Sequence, residues 1–192
     1  ISDDATAIGA VNTIKNVDGK FIGENVDWIG VVNALEEVTG LKGKKCIVLG
    51  AGGAARGAVY GLKKHGAEVV VLNRTVEKAE ALANEFGCEF GVLDDVKNFE
   101  ADIVLQTTSC WLENPDTQLI PADYFKPEMI VMDIVYTPLI TPLLADAEKA
   151  GCQIITGEKM LLHQAYEQFK LWTGKEAPKE IVEARLKQAL SN

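Results

Sequence analysis

The chain has 192 residues, 47% hydrophobic and 24% charged, which is enough for one full domain, or one domain plus part of another, and rules out a disordered or fibrous segment. Its net charge of −9 comes without any clustered basic stretch, so no nucleic-acid partner is expected, although a local pocket on an acidic protein can still attract a small anion. No apolar run approaches the ~20 residues that cross a bilayer and no signal peptide is visible, so no membrane partner is expected either.

Residues 10–16 and 20–22 read as short strands joined at Val17-Asp18-Gly19, because Asp-Gly between alternating residues is a turn signal. After Asn25-Val26-Asp27, apolar Ile29, Val32, Ala34 and Leu35 recur at helical spacing, and Gly40 and Gly43 close that segment. The pattern then alternates. Residues 46–49 form an unbroken apolar run of the kind buried on both faces of a parallel sheet. Helices over 54–65, 76–86 and 141–150 are predicted between strands at 68–72, 103–106, 129–134 and 153–156. Such alternation predicts an α/β fold with a doubly wound parallel sheet. After Gly157 no strand follows; residues 159–172 and 178–189 are predicted helices that must pack on something other than a new strand.

The cysteines, Cys46, Cys88, Cys110 and Cys152, are widely separated and contain no Cys-x-x-Cys pair, which fits reduced thiols in a cytoplasmic protein. His65 and His163 are the only histidines and lie far apart, so no metal site is expected.

Gly50-Ala51-Gly52-Gly53-Ala54-Ala55 follows an apolar strand and opens a helix within a strand–helix–strand unit. Gly50 permits the tight turn, Gly52 lets the backbone approach a pyrophosphate, and Ala55 is small enough for the helix to lie close to the sheet. The helix N-terminus then offers unpaired N–H groups to phosphates. A free adenine ribose hydroxyl asks for an acidic residue at the end of the second strand. Here that place holds Asn73-Arg74-Thr75, with Lys78 one turn later, so the expected cofactor is NADP: Arg74 can make charge-assisted bonds to a 2′-phosphate, with Thr75 and Lys78 beside it. Asp27, taken alone, reads as a helix N-cap. The ends of two strands, residues 106–109 and 134–136, lie on the carboxyl edge of the sheet, where ligands bind in such folds.

The order of Ala10-Val11-Asn12-Thr13, Asn25-Val26-Asp27, Gly50 to Arg56, Asn73-Arg74-Thr75, Tyr136-Thr137-Pro138, Met160-Leu161-Leu162-His163-Gln164 and Phe169 to Gly174 resembles that of shikimate dehydrogenases, from about residue 5 to residue 174. The resemblance implies a Rossmann-like fold and NADPH-dependent, reversible reduction of 3-dehydroshikimate to shikimate, in aromatic amino-acid biosynthesis. It implies that Asn12, Asp27 and Gln164 hold the substrate hydroxyls, that Tyr136 lines the same cleft, and that Asp27 shares proton handling with a lysine. Gly50, Ala51, Gly52, Gly53, Ala54, Asn73, Arg74, Thr75 and Lys78 would hold the cofactor phosphates, and Ile134 and Gly157 would flank the nicotinamide.

Three places depart from the family pattern. Trp28 and Lys159 each stand where glycine is usual, and residues 106–112, including Trp111, replace an Asn-Ala-Thr-Pro-x-Gly-Met loop. The family's catalytic lysine precedes the Ala-Val-Asn-Thr segment, and no lysine here has its Asn-Val-Thr-x-Pro-x-Lys setting. The expectation is therefore a cofactor-binding part of a longer enzyme, inactive alone. Residues 1–28 would be a remnant of the substrate domain, 29–157 the NADP-binding domain, and 158–192 helices returning to the substrate domain. Contact with that missing domain, or homo-oligomerisation through the same apolar face, is expected. The alternatives are a quinate/shikimate dehydrogenase and a non-catalytic NADP-binding module.

Overall fold

Residues 1–110 and 117–190 are described by the computed structural model. The N-terminal part opens with a helix that periodicity could not announce, α1 (Asp3–Ile8), only six residues long. Its ends are nonetheless specified locally: the Ser2 hydroxyl accepts from the Ala5 N–H, Asp3 and Asp4 occupy the first turn, and Gly9 closes it in the left-handed conformation. Strands β1 (Thr13–Val17) and β2 (Lys20–Glu24) then pair antiparallel. Asp18 and Gly19, both at positive φ, form the two-residue connection, one residue tighter than the expected 17–19 turn. Helix α2 (Asp27–Glu36) follows directly.

Beyond residue 44 the chain winds a single six-stranded sheet. Its strands are β3 (Lys45–Leu49), β4 (Glu68–Asn73), β5 (Glu89–Val92), β6 (Ile103–Gln106), β7 (Ile130–Asp133) and β8 (Gln153–Ile155), in the order β5-β4-β3-β6-β7-β8, every pair parallel. Strand β5 was not expected; it is a half-covered edge strand interrupted by Gly91, with no apolar run to mark it. The inner strands are apolar along their middles because both faces are covered, and their polar residues, Lys45, Glu68, Asn73, Gln106 and Asp133, stand only at strand ends. Cys46, Val48, Ile103 and Leu105 join one core layer with α2, α3 (Gly53–Lys64) and α4 (Val76–Phe86). Ile47, Leu49 and Val104 join the other, beneath α5 (Pro142–Lys149) and the short 3-10 turns Leu93–Asn98 and Ala122–Tyr124. Winding runs outward in both directions from β3 and β6, so a crevice opens beyond their carboxyl ends.

Cys46, Cys88 and Cys152 are free thiols, and burial pushes the Cys46 thiol up to about 12, as an inert core thiol requires. Among the described residues no group of His, Cys, Asp and Glu could hold a metal, and no helix is long and apolar enough to cross a membrane.

At the end of β7 the buried Asp133 accepts from the Val135 N–H at 2.9 Å and from the Thr141 hydroxyl at 2.7 Å, while Gln106 of β6 donates to the Thr108 carbonyl at 2.9 Å. These bonds fix how the two strand-end loops leave the sheet. The last strand then leads into α6 (Gly157–Thr173), which turns away from the sheet and packs along α2 and β1. Helix α7 (Lys179–Leu190) follows it and has no buried residue.

The first residue of α6 has no room for a side chain. A Cβ on Gly157 would fall 2.5 Å from the Val135 carbonyl oxygen and still closer to that of Ile134. In an open helix Gly→Ala stabilises by roughly 0.5–1 kcal/mol. At this contact Gly157→Ala is expected to destabilise by about 2 kcal/mol, since backbone cannot move aside as a flexible side chain can. Urea unfolding of both proteins checks the sign.

Candidate functional site

Asp27 heads α2 but does not cap it: Val26 holds the cap position and no side chain bonds the helix end. The carboxylate turns instead toward its neighbours. Asn12 Nδ2 donates to Asp27 Oδ1 at 2.7 Å, and Gln164 Nε2 of α6 donates to the same oxygen in a short contact. The N-cap reading of Asp27 is therefore corrected: side-chain amides from two distant segments win the carboxylate. Burial raises the Asp27 carboxyl above its ordinary value, and the bonds from Asn12 and Gln164 only partly offset this.

Each partner is itself held. The Asn12 Oδ1 accepts from the Val26 N–H at 3.0 Å and the Thr13 hydroxyl at 2.9 Å, so its amide can present only Nδ2 to Asp27. The buried Asn25 accepts from the Asp27 N–H at 3.0 Å and donates to the Ala10 carbonyl at 3.2 Å. Along α6, Gln164, Gln168 and Trp172 stand four residues apart on one face. Gln168 donates to the Thr13 hydroxyl at 3.0 Å and Trp172 Nε1 to the Ile14 carbonyl at 3.0 Å. Gln168 was not singled out from the sequence, and Trp172 only within the Phe169 to Gly174 stretch with no role assigned; their spacing from Gln164 was the signal that could have placed them.

The glycine loop lies close by. Gly50 turns at φ +114, and a Cβ there would meet the Thr107 hydroxyl at 2.8 Å, so only glycine passes between β3 and the loop after β6. Gly52 and Gly53 face open space, and no side chain caps the N-terminus of α3, which leaves its first-turn N–H groups for a ligand. Ala55 is fully buried against the sheet. A cavity of about 330 Å³ is lined by Gly50, Ala51, Gly52, Arg74, Lys78 and Thr108, among others. A second, of about 580 Å³, adjoins it through Asn73, Arg74, Thr108 and Ser109 and continues past Leu93 and Cys110. These sizes suit a nucleotide. The Asn73 amide donates to the Thr75 carbonyl at 2.9 Å and shapes the turn. Arg74, Thr75 and Lys78 are exposed at the cavity rim. Thr75 occupies the cap position of α4.

Gly57, two residues past Ala55, lies against Asp27: a Cβ there would stand 3.1 Å from the Asp27 Cβ. The carboxylate and the glycine loop are thus carried on touching helices. Ile134 and Gly157 meet directly at the carboxyl edge. Tyr136 follows on that edge, 44% exposed, without a hydrogen bond to the Asp27 group among the described residues. Of the departures from the family pattern, Trp28 points at α3 rather than into the cleft, its ring 5.7 Å from that of Tyr60. Lys159 pairs with Glu37 of the segment after α2 at 3.0 Å, and His163 meets the same carboxylate at 3.0 Å. Trp111 lies outside the described residues.

The description Shikimate / quinate 5-dehydrogenase matches residues 32–135, and Shikimate 5'-dehydrogenase C-terminal domain matches 157–187. A shikimate dehydrogenase (NADP(+)) of Syntrophobacter fumaroxidans is 42% identical over 99% of this chain and 68% of its own length. A crystal structure of shikimate dehydrogenase in complex with NADP+ aligns with a TM-score of 0.93 and 41% identity, over 100% of this chain and 70% of that one. The Thermus thermophilus shikimate 5-dehydrogenase in complex with NADP(H) and shikimate aligns with a TM-score of 0.89 and 39% identity, over 98% and 71%. The chain spans about two thirds of the length of these relatives. Matched along nearly its whole extent, with a six-stranded parallel sheet of the same Rossmann-like fold, the chain belongs to the shikimate dehydrogenase family.

Proposed function

We propose that this chain provides the cofactor-binding part and half of the substrate site of an NADP-dependent shikimate dehydrogenase, which reversibly reduces 3-dehydroshikimate to shikimate. The observation that carries the reading is the Asp27 carboxylate, held by Asn12 and Gln164 and packed on the helix that opens from the glycine loop. A nucleotide-binding module without chemistry has no need of an oriented, half-buried carboxylate at that place.

The residues present fit the dinucleotide. The glycine loop and the uncapped N-terminus of α3 would receive the pyrophosphate, and Arg74, Thr75 and Lys78 the ribose 2′-phosphate. When bound, NADP(H) supplies the hydride that is exchanged with the substrate carbon. Ile134 and Gly157, which close the carboxyl edge between the sheet and α6, would shape the nicotinamide end and exclude water there. The amides of Asn12 and Gln164 would orient the substrate hydroxyls. Asp27, with Oδ1 engaged by both amides, would hold a hydroxyl proton at Oδ2, and burial keeps its pKa nearer that of its target. Among the described residues no lysine bonds Asp27; the lysine that the resemblance pairs with it belongs to none of the described elements. Tyr136 would line the cleft from the β7 side.

The division into residues 1–28, 29–157 and 158–192 belongs to the same proposal, as does a cytoplasmic location, which the free thiols of Cys46, Cys88 and Cys152 support. Ile14 and Phe21, 60% and 78% exposed on the hairpin, are the surface on which we place the substrate domain.

Two substitutions test this reading. Arg74→Asp removes charge-assisted bonds worth roughly 1.5–3 kcal/mol and adds repulsion, so NADP+ affinity by calorimetry is expected to fall about 100-fold while NAD+ affinity holds or rises; equal loss for both would overturn the assignment. Asp27→Asn is expected to lower shikimate turnover at least ~100-fold in the protein that carries the substrate domain, with quinate assayed in parallel, and to raise stability at neutral pH. The sign follows from linkage. A carboxyl whose folded pKa is raised binds extra protons in the native state, so wild-type stability falls as pH rises above about 4, a loss the neutral amide escapes. Thermal unfolding at pH 7 and pH 3 should show the gain only at pH 7.

A further inference from the structure

Helix α3 carries a second stripe, on the side away from the sheet: Arg56, Tyr60 and Lys64 recur every four residues and so share one face. All three grip the short N-terminal helix. Arg56 Nε donates to the Ile8 carbonyl at the C-terminus of α1, where a cation also meets the favourable end of the helix dipole. Tyr60 donates its hydroxyl to Asp4, and Lys64 reaches the same carboxylate at 2.9 Å. The Arg56 fork is completed by Glu85 of α4, with Nη1 to Oε2 at 2.9 Å.

Aromatic rings bind the group together. The Trp28 and Tyr60 rings meet edge to face at 5.7 Å, and those of Tyr60 and Phe86 at 6.5 Å. Lys64 lies 4.5 Å from the Trp28 ring centroid, and the Arg56 guanidinium 5.6 Å from that of Phe86.

The residues gripped flank the substrate site in sequence. Ile8 precedes Asn12 by four residues, and Trp28 follows Asp27 directly. We propose that Arg56, Tyr60 and Lys64 are positioning residues. One stripe of the cofactor helix holds the two segments that carry Asn12 and Asp27 in register with the glycine loop. This rests on the reading of Asn12 and Asp27 as substrate ligands. Its structural core, that the stripe orders residues 3–12 and 25–28 without taking part in cofactor binding, stands apart from it.

The test uses Arg56→Met and Lys64→Met, singly and together, in the full-length protein, with Arg56→Lys as the conservative variant. Amide hydrogen exchange should quicken at least 10-fold in residues 3–12 and 25–28 in the double variant, while the amides of β3 and β4 keep their protection. The NADP+ dissociation constant should stay within about twofold. Shikimate oxidation should lose at least 10-fold in kcat with KM for NADP+ unchanged, and Arg56→Lys should recover part of it. Exchange that quickens everywhere alike, or affinity for NADP+ that falls in parallel, would overturn the proposal, since either shows general destabilisation. Unchanged exchange in residues 3–12 would overturn it as well. Should the unsubstituted protein bind NADP+ yet oxidise no shikimate, the functional reading fails, and exchange together with cofactor affinity still decides whether the stripe positions these segments.

Discussion

A single close approach sets the geometry of the site: the backbone of Gly157 rests on the carbonyls of Ile134 and Val135. Because nothing larger than hydrogen fits between them, α6 starts hard against the carboxyl edge of the sheet and is aimed across α2 instead of continuing the winding. A second close contact keeps that direction. At Gly30 of α2, a Cβ would lie 2.9 Å from the Met160 carbonyl and 2.8 Å from Gln164 Cγ, so the two helices meet almost backbone to backbone. That proximity is what allows the side chain of Gln164 to reach Asp27, and what places Gln168 and Trp172 on the first hairpin strand.

Helix α3 serves as the shared support. Its N-terminus faces the ligand crevice, its inner face fills the core with Ala55, Ala58, Val59 and Leu62, and its outer stripe seats α1. Burying a leucine or valine side chain is worth roughly 1.5–3 kcal/mol, whereas the half-exposed Asp4–Lys64 pair is worth little by itself. Packing therefore decides that α3 lies where it does, and the polar stripe decides only what is aligned to it. A local weakness in the stripe can shift α1 without unfolding the sheet.

Much of this was legible in the sequence. Strands that are covered on both faces read as short apolar runs, so β3, β6 and β7 announced themselves, and the glycine loop was readable from its place between strand and helix. The Asp18-Gly19 turn was readable because few residues accept positive φ. Helix α1 and strand β5 were not, since six residues make too short a period and a half-covered edge strand has no unbroken apolar run. Asp27 shows a different limit. Locally it is a plausible helix cap, and only the amides of Asn12, 15 residues before it, and Gln164, 137 residues after it, draw the carboxylate elsewhere.

By itself, then, the sequence determined the alternation of strand and helix, the doubly wound sheet and the dinucleotide loop. Each of these follows from local preferences and from the periodicity of burial. Its ordered motifs also named the family, and they named Asn12, Asp27 and Gln164, which the fold joins by hydrogen bonds. Tertiary structure alone decided which atoms those residues offer one another: that Asp27 Oδ1 takes both amides, that Trp28 turns to α3 and away from the cleft, and that Arg56 reaches back to Ile8. The physical reason is distance along the chain. Hydrogen bonds and ring contacts between residues tens of positions apart depend on how helices cross, and the crossings are set by which backbones can touch.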